Sequence, residues 1–197
     1  MSNFSPIEYE KYKNLNVTIE SLNVTYFIKN RINPDLFKII KNKKSLYPSG
    51  IWFSCGVGWF NWCMYNQPKR LINKKVYNLV LDDSKILHIK TIIELQKFNK
   101  EFGIKKIISS KSKKKDYYII IDWQKVEKKY SGIKCCPYLK SHIINNKNYL
   151  DEYLWYHNFD VASGCIWNPE CIEKIEYGGY LPKYDGNEKK IKEKFEK

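Results

Sequence analysis

Two segments far apart in the chain constrain its fold more than anything else in it: SGIWFSCGVGWFNWCMYNQ, residues 49–67, and DVASGCIWNPECIEKIE, residues 160–176. The first holds six aromatic rings, two cysteines and three glycines in nineteen residues. Each segment joins small residues to a short apolar run containing tryptophan, a composition that reads as a buried strand in close contact with neighbouring backbone. Rings of this size bury large apolar areas, so the two runs must sit in the core or wall one concave site. Both alternatives call for the same residue types and both stay open at this point.

With 197 residues the chain is the size of one domain, long enough to bury about 70% of its unfolded surface. We expect a single domain over residues 1–186, followed by a charged tail at 187–197. A hydrophobic content of 43% with 16% aromatics excludes general disorder. A mean hydropathy of −0.56 places a strongly polar surface around that core. The net charge of +14 suits a polyanionic partner, but the bias towards Lys, Asn, Ile and Tyr is also what an AT-rich genome produces. No apolar run approaches the roughly 18 residues of a membrane span, and MSNFSPIEYEKYK has no signal-peptide core. The expectation is an intracellular protein with no membrane partner.

Six cysteines stand at positions 55, 63, 135, 136, 165 and 171. Without a secretory context they are expected to be reduced. There is no CxxC pair, and His88, His142 and His157 lack HxxxH spacing, so no metal site is expected and most thiols read as small buried hydrophobes.

The pattern of residues gives irregular alternation of elements. Residues 1–20 read either as a polar helical lead-in or as a strand beginning at LNVTIE, and a strand is expected over Leu22–Lys29. A helix follows over DLFKIIKNK, residues 35–43, then a strand at GIWFS. Rings at Trp59, Trp62 and Tyr65 recur every three residues and predict a helix ending before Pro68. Strands at 75–82 and 85–90 precede a helix capped by Thr91 and stopped by Gly103. The run Lys111–Lys115 reads as a solvated loop. A strand over 116–121, a helix WQKVEKKY capped by Asp122, a strand over 132–138 and a GCIWN strand continuing into CIEKIE complete the chain. YLDEYLWYHNFDVA is aromatic-rich and ambiguous. No GxGxxG or GxxxxGK phosphate loop is present, and the order of elements predicts mixed α+β, not a doubly wound sheet.

Gly50-Ile51-Trp52-Phe53-Ser54 and Ser163-Gly164-Cys165-Ile166-Trp167-Asn168-Pro169 resemble two motifs of the ADP-ribosyltransferase-like fold, shared by diphtheria-toxin-type enzymes and poly-ADP-ribose polymerases. Those motifs are a strand G-[IL]-Y-[FL]-[AS] leading into a helix and a late strand E-x-V-V-[FY]-[DN]-P with the catalytic glutamate. The resemblance spans residues 22–67 and 130–176. It implies a mixed, mostly antiparallel sheet with the two strands as central neighbours, short flanking helices, and an NAD- or nucleotide-related transferase or binding domain. The implied cleft is lined by Trp52, Ser54, Cys55, Trp59, Ser163, Cys165 and Trp167, with Tyr26, Lys29 or Arg31 at its mouth. Trp52 would hold the flat nicotinamide cation by stacking, with Ser54 as polar support. A fixed carboxylate would stabilise the oxocarbenium ion as nicotinamide leaves. Ser163 stands in the glutamate position, so Asp160, three residues earlier, is expected to supply that charge.

Two further readings compete. A reactive Cys165 or Cys55 would need a base such as His157 or His142. A nonenzymatic basic module would use Lys41, Lys43, Lys44 and the 111–115 run as a track for nucleic acid or an acidic protein, although no recognised nucleic-acid-binding signature accompanies them.

Overall fold

The computed structural model describes residues 16–19, 27–28, 31–32, 39–56, 58–67, 75–107, 117–139 and 152–180. Its strands are β1 Asn16–Ile19, β2 Phe27–Ile28, β3 Arg31–Ile32, β4 Lys44–Ser45, β5 Ile51–Cys55, β6 Lys75–Leu81, β7 Ile86–Ile89, β8 Gly103–Ile107, β9 Tyr117–Asp122, β10 Gly132–Cys135, β11 Ser163–Ile166 and β12 Ile172–Tyr180. The helices are α1 Gly58–Asn66, α2 Ile92–Phe102, α3 Trp123–Val126 and α4 Leu154–His157. The class is α+β, with mostly antiparallel pairing.

Seven strands form the main sheet in the order β12-β6-β1-β5-β11-β10-β7, and only the β10–β7 pair is parallel. The two tryptophan segments become β5 and β11, antiparallel neighbours with Ser54 opposite Ser163 and Trp52 opposite Cys165. A three-stranded sheet, β4-β9-β8, and the pair β2-β3 accompany it.

One connection decides the shape of the main sheet. β6 and β7 are five strand spacings apart, which is about 24 Å across a flat sheet. Residues 82–85 alone join them, and a fully extended chain of that length reaches only about 17 Å. The sheet must therefore coil until its two sides meet. The packing agrees, because Leu79 of β6 and Ile86 of β7 share one buried cluster with Phe53, Ile166, Cys171 and Ile172. The link is held by a 3-10 turn at Asp83–Lys85, whose cap Asp82 accepts from the Ser84 N–H, and by the Asp82 N–H donating to the Cys171 carbonyl.

Because side chains alternate along a strand, the opposite face of β5, β11, β10 and β7 presents Trp52, Cys165, Ile133, Cys135 and Ile89. This face packs against α2, α3, α4 and β9 through Leu95, Phe98, Phe102, Ile121, Trp123, Trp155, Tyr156 and Phe159. α2 starts as the sequence dictates, with a full capping box between Thr91 and Glu94.

Several local expectations changed under tertiary contacts. Residues 39–43 are not helical. Their polar groups are taken by distant partners: the Ile40 N–H donates to the Trp167 carbonyl and the Asn42 N–H to the Glu127 carboxylate. The helix after Asp122 stops at Val126, and the Tyr130 carbonyl instead accepts the Trp167 indole N–H at 2.7 Å. The aromatic segment before Asp160 contributes the short α4. Of Leu22–Lys29, only Phe27–Ile28 falls among the described residues, and the 111–115 loop and the 187–197 tail lie outside them.

Gly164 is required by space. A methyl group there would overlap the Phe53 ring and stand 2.5 Å from the Ile133 carbonyl oxygen. The ring cannot retreat from the coiled core and the carbonyl belongs to the neighbouring strand. Gly164→Ala is therefore expected to destabilise the fold by at least about 1–3 kcal/mol, seen as a lower urea midpoint at unchanged slope.

Candidate functional site

The register of the sheet lays out the concave face row by row. Phe53, Gly164, Lys134 and His88 stand side by side across β5, β11, β10 and β7. β5 and β10 both run antiparallel to β11, so two residues further along each lie Cys55 and Cys136, on the same face. Phe53 and the apolar cluster close the lower part of the coil, and the two thiols sit at its upper rim.

Cys55 and Cys136 are partly exposed, whereas Cys63, Cys135, Cys165 and Cys171 are buried, and all six thiols are free. Adjacent cysteines thus serve opposite faces. Burial alone drives the pKa of Cys165 well up, and it does so for Cys135 with the neighbouring Cys136 adding to it. Burial likewise pushes Cys171 up to about 11. Those thiols stay protonated and out of reach.

The rim pair behaves otherwise. The Cys55 side chain beside it lowers the pKa of Cys136 to about 7 against the opposing effect of burial. The Lys134 ammonium lowers it further. The same interaction, with burial, drives the Cys55 thiol far up. The pair thus favours ionisation of Cys136 over that of Cys55. Lys134 is only 13% exposed and has Asp83 3.8 Å away.

His88 fixes the backbone at this point. Its Nε2 lies 3.1 Å from the Cys136 carbonyl oxygen. A carbonyl only accepts, so Nε2 carries the proton. Burial and the ammonium groups of Lys134 and Lys90 lower the His88 pKa, which keeps the ring neutral at pH 7. The imidazole positions the thiol-bearing residue and is not the base that deprotonates it.

The residues singled out in the sequence lie mostly on the other face. Ser163 is fully buried and donates to the Phe159 and Val161 carbonyls. Ser54 is equally buried and donates to the Gly56 carbonyl at 2.9 Å. Cys165 and Trp167 are core residues. As placed, these four side chains are buried in the interior. Trp52 is partly buried and meets Phe159 edge-on with centroids 5.0 Å apart. Trp59, on α1, is partly exposed and packs on Trp62. Asp160 is exposed at the loop before β11, with φ of 57°. Arg31 lies in β3, and Lys29, Tyr26 and His142 fall outside the described residues. Of the cleft residues, only Cys55 belongs to the rim site.

Cys136, Lys134 and His88 escaped the sequence reading. The available signal was Lys134-Cys135-Cys136 in a strand, where period two puts Lys134 and Cys136 on one face and Cys135 on the other. No group of three or more His, Cys, Asp and Glu side chains that could hold a metal ion occurs among the described residues, and no described helix is long and apolar enough to cross a membrane. Comparison of the chain with protein families, with curated proteins and with solved structures finds no match.

Alkylation separates the thiols. Iodoacetamide should modify Cys136 first, at a rate rising with pH through a midpoint of about 7. Removing the neighbouring side chain in Cys55→Ala should move that midpoint up towards the roughly 8.5 of an ordinary thiol. Peptide mass mapping across pH 5–9 reads both. A midpoint unchanged by Cys55→Ala would exclude this interaction between the two side chains.

Proposed function

We propose that this protein carries out thiol–disulfide exchange, with Cys136 as nucleophile and Cys55 as the neighbour that lowers its pKa. The supporting observation is that the two partly exposed thiols of the chain lie on one face of the sheet with Lys134, and that each shifts the other's pKa. A thiolate is the attacking species in exchange, and a pKa near ambient pH gives the best compromise between thiolate fraction and nucleophilicity.

In the reaction the Cys136 sulfur attacks one sulfur of a substrate disulfide. A bond forms between them, the substrate S–S bond breaks, and the departing sulfur leaves as a thiolate that is protonated by solvent. Cys136 is then held in a mixed disulfide. A low-molecular-weight thiolate attacks the substrate-derived sulfur, and Cys136 departs as a thiolate, ready to repeat the cycle. Its low pKa makes it a good leaving group. One disulfide is exchanged for another, with no net change in oxidation.

An external thiol is needed because the pair is badly placed for an internal disulfide. Cys55 ends β5 and Cys136 follows β10, with β11 between them, and the Cys55 N–H donates to the Ala162 carbonyl. Two strand spacings separate the α-carbons by roughly 9–10 Å, beyond the roughly 7 Å limit of a disulfide.

The test is incubation with 2-hydroxyethyl disulfide followed by intact-mass measurement. Wild type should gain one adduct and Cys136→Ser none. Cys55→Ala should react about three- to fourfold more slowly at pH 7, since thiolate fraction falls about sixteenfold while nucleophilicity rises about fivefold. Non-reducing peptide maps should show no Cys55–Cys136 crosslink. An adduct that persists in Cys136→Ser would remove Cys136 from the nucleophile's role.

The NAD-related transferase reading retains one supporting observation, the pairing of GIWFS with SGCI as central strands. Its expected signature is nicotinamide release from NAD by wild type that is lost in Asp160→Asn, followed by chromatography. Equal release from both proteins would rule out Asp160 as the carboxylate.

A further inference from the structure

We infer that the thiol site selects anionic disulfides, ones whose thiol halves carry a carboxylate, and that Lys134 is the residue that selects them. The inference rests on the exchange reading above and names its substrate class.

The argument is a charge balance across the reaction. Lys134 projects from β10 onto the concave face, two residues before Cys136, with the glycine of β11 on one side and His88 on the other. Its side chain is 13% exposed, so little water solvates the ammonium, and an unpaired cation in such a place is unfavourable. In the resting protein two anions face it. One is the Cys136 thiolate. The other is Asp83, whose carboxylate is 3.8 Å away, itself 66% exposed and therefore well screened by solvent.

Formation of the mixed disulfide removes the first of these anions, because the sulfur that carried the charge becomes a neutral disulfide sulfur. Lys134 then keeps only the exposed Asp83. A neutral incoming thiol leaves the cation in that state. A thiol bearing its own carboxylate replaces the lost charge from within the adduct and stabilises both the intermediate and the approach to it. The remaining charged groups do not reverse this preference. Lys90, two residues after His88 on the same strand direction, adds a second cation that His88 senses together with Lys134 and Asp83. The Glu94 carboxylate nearby is occupied by the Lys90 and Thr91 N–H groups. The net charge of +14 adds a weaker, salt-screened attraction for any anion.

Two disulfide probes of opposite character test the idea. Neutral 2,2′-dithiodipyridine reports the nucleophile alone, and dianionic 5,5′-dithiobis(2-nitrobenzoate) reports nucleophile and charge selection together. The quantity read is the ratio of their second-order rates, anionic over neutral, for wild type, Lys134→Met, Lys134→Arg and the remote surface variant Lys174→Met. Methionine keeps the length and apolar stem of lysine, and circular dichroism confirms folding.

Lys134→Met should lower the ratio by roughly three- to tenfold, the scale of one partly buried ion pair. Lys134→Arg should restore it, and Lys174→Met should leave it near wild type. Raising salt from 0.05 to 0.5 M should narrow the gap between wild type and Lys134→Met only in part, because screening reaches a partly buried pair less than an exposed one. An unchanged ratio in Lys134→Met, or an equal fall in Lys174→Met, overturns the inference while leaving exchange intact. Failure of Cys136 to react with the neutral probe overturns the exchange reading itself.

Discussion

A tether of residues 82–85 between strands five spacings apart governs this molecule. It is too short for a flat sheet, so the sheet coils, and coiling gives it two unlike faces. The outer one is broad and takes the helices and most of the rings. The inner one is narrow: a few aliphatic side chains and the Phe53 ring fill its lower part, and polar side chains occupy the rim. Gly164 belongs to the same economy of space, since the Phe53 ring lies over the strand where any side chain would stand. The thiol pair exists because two parallel strands flanking β11 end at that rim together.

The chemistry at the rim follows from unequal sharing. Two thiols in equal surroundings would each hold a proton near neutrality. Here Lys134 lowers both, and the interaction between the two side chains, with the deeper burial of Cys55, raises Cys55 and lowers Cys136. Lys134 pairs with Asp83 at 3.8 Å, and its charge lowers the pKa of both rim thiols. His88, held neutral by its surroundings, contributes rigidity and no charge.

Much of this architecture was legible in the residues. The α+β class, the helix between Thr91 and Gly103, and GIWFS and SGCI as strands are all found, and of the two alternatives open at LNVTIE it is the strand that forms. These are cases where propensity, capping and apolar patterning agree. Their pairing as neighbours had followed from the family resemblance and not from any local signal. Of the rings in the two segments, Phe53 and Trp167 are core while Trp52, Trp59 and Trp62 are only partly buried, and the small residues beside them satisfy close approach of strands and internal hydrogen bonds. The helix over 35–43 failed, in its described part, because distant carbonyl and carboxylate groups outbid the local pattern. The rim site was hidden for a similar reason. Nothing local says that residues 55, 88, 134 and 136 share a face; that depends on strand order and register, which no short motif encodes.

The adjacency of Cys135 and Cys136 has a consequence for how the protein tolerates its surroundings. Turning one sulfur inward and the next outward divides the chain's thiols into a sealed store and an accessible outpost. A reagent in solution meets the outpost at the rim, above the packed interior. The sealed sulfurs keep their contacts throughout. Chemistry in solution therefore has two sulfurs within reach, those of Cys55 and Cys136, and four that the fold keeps from it.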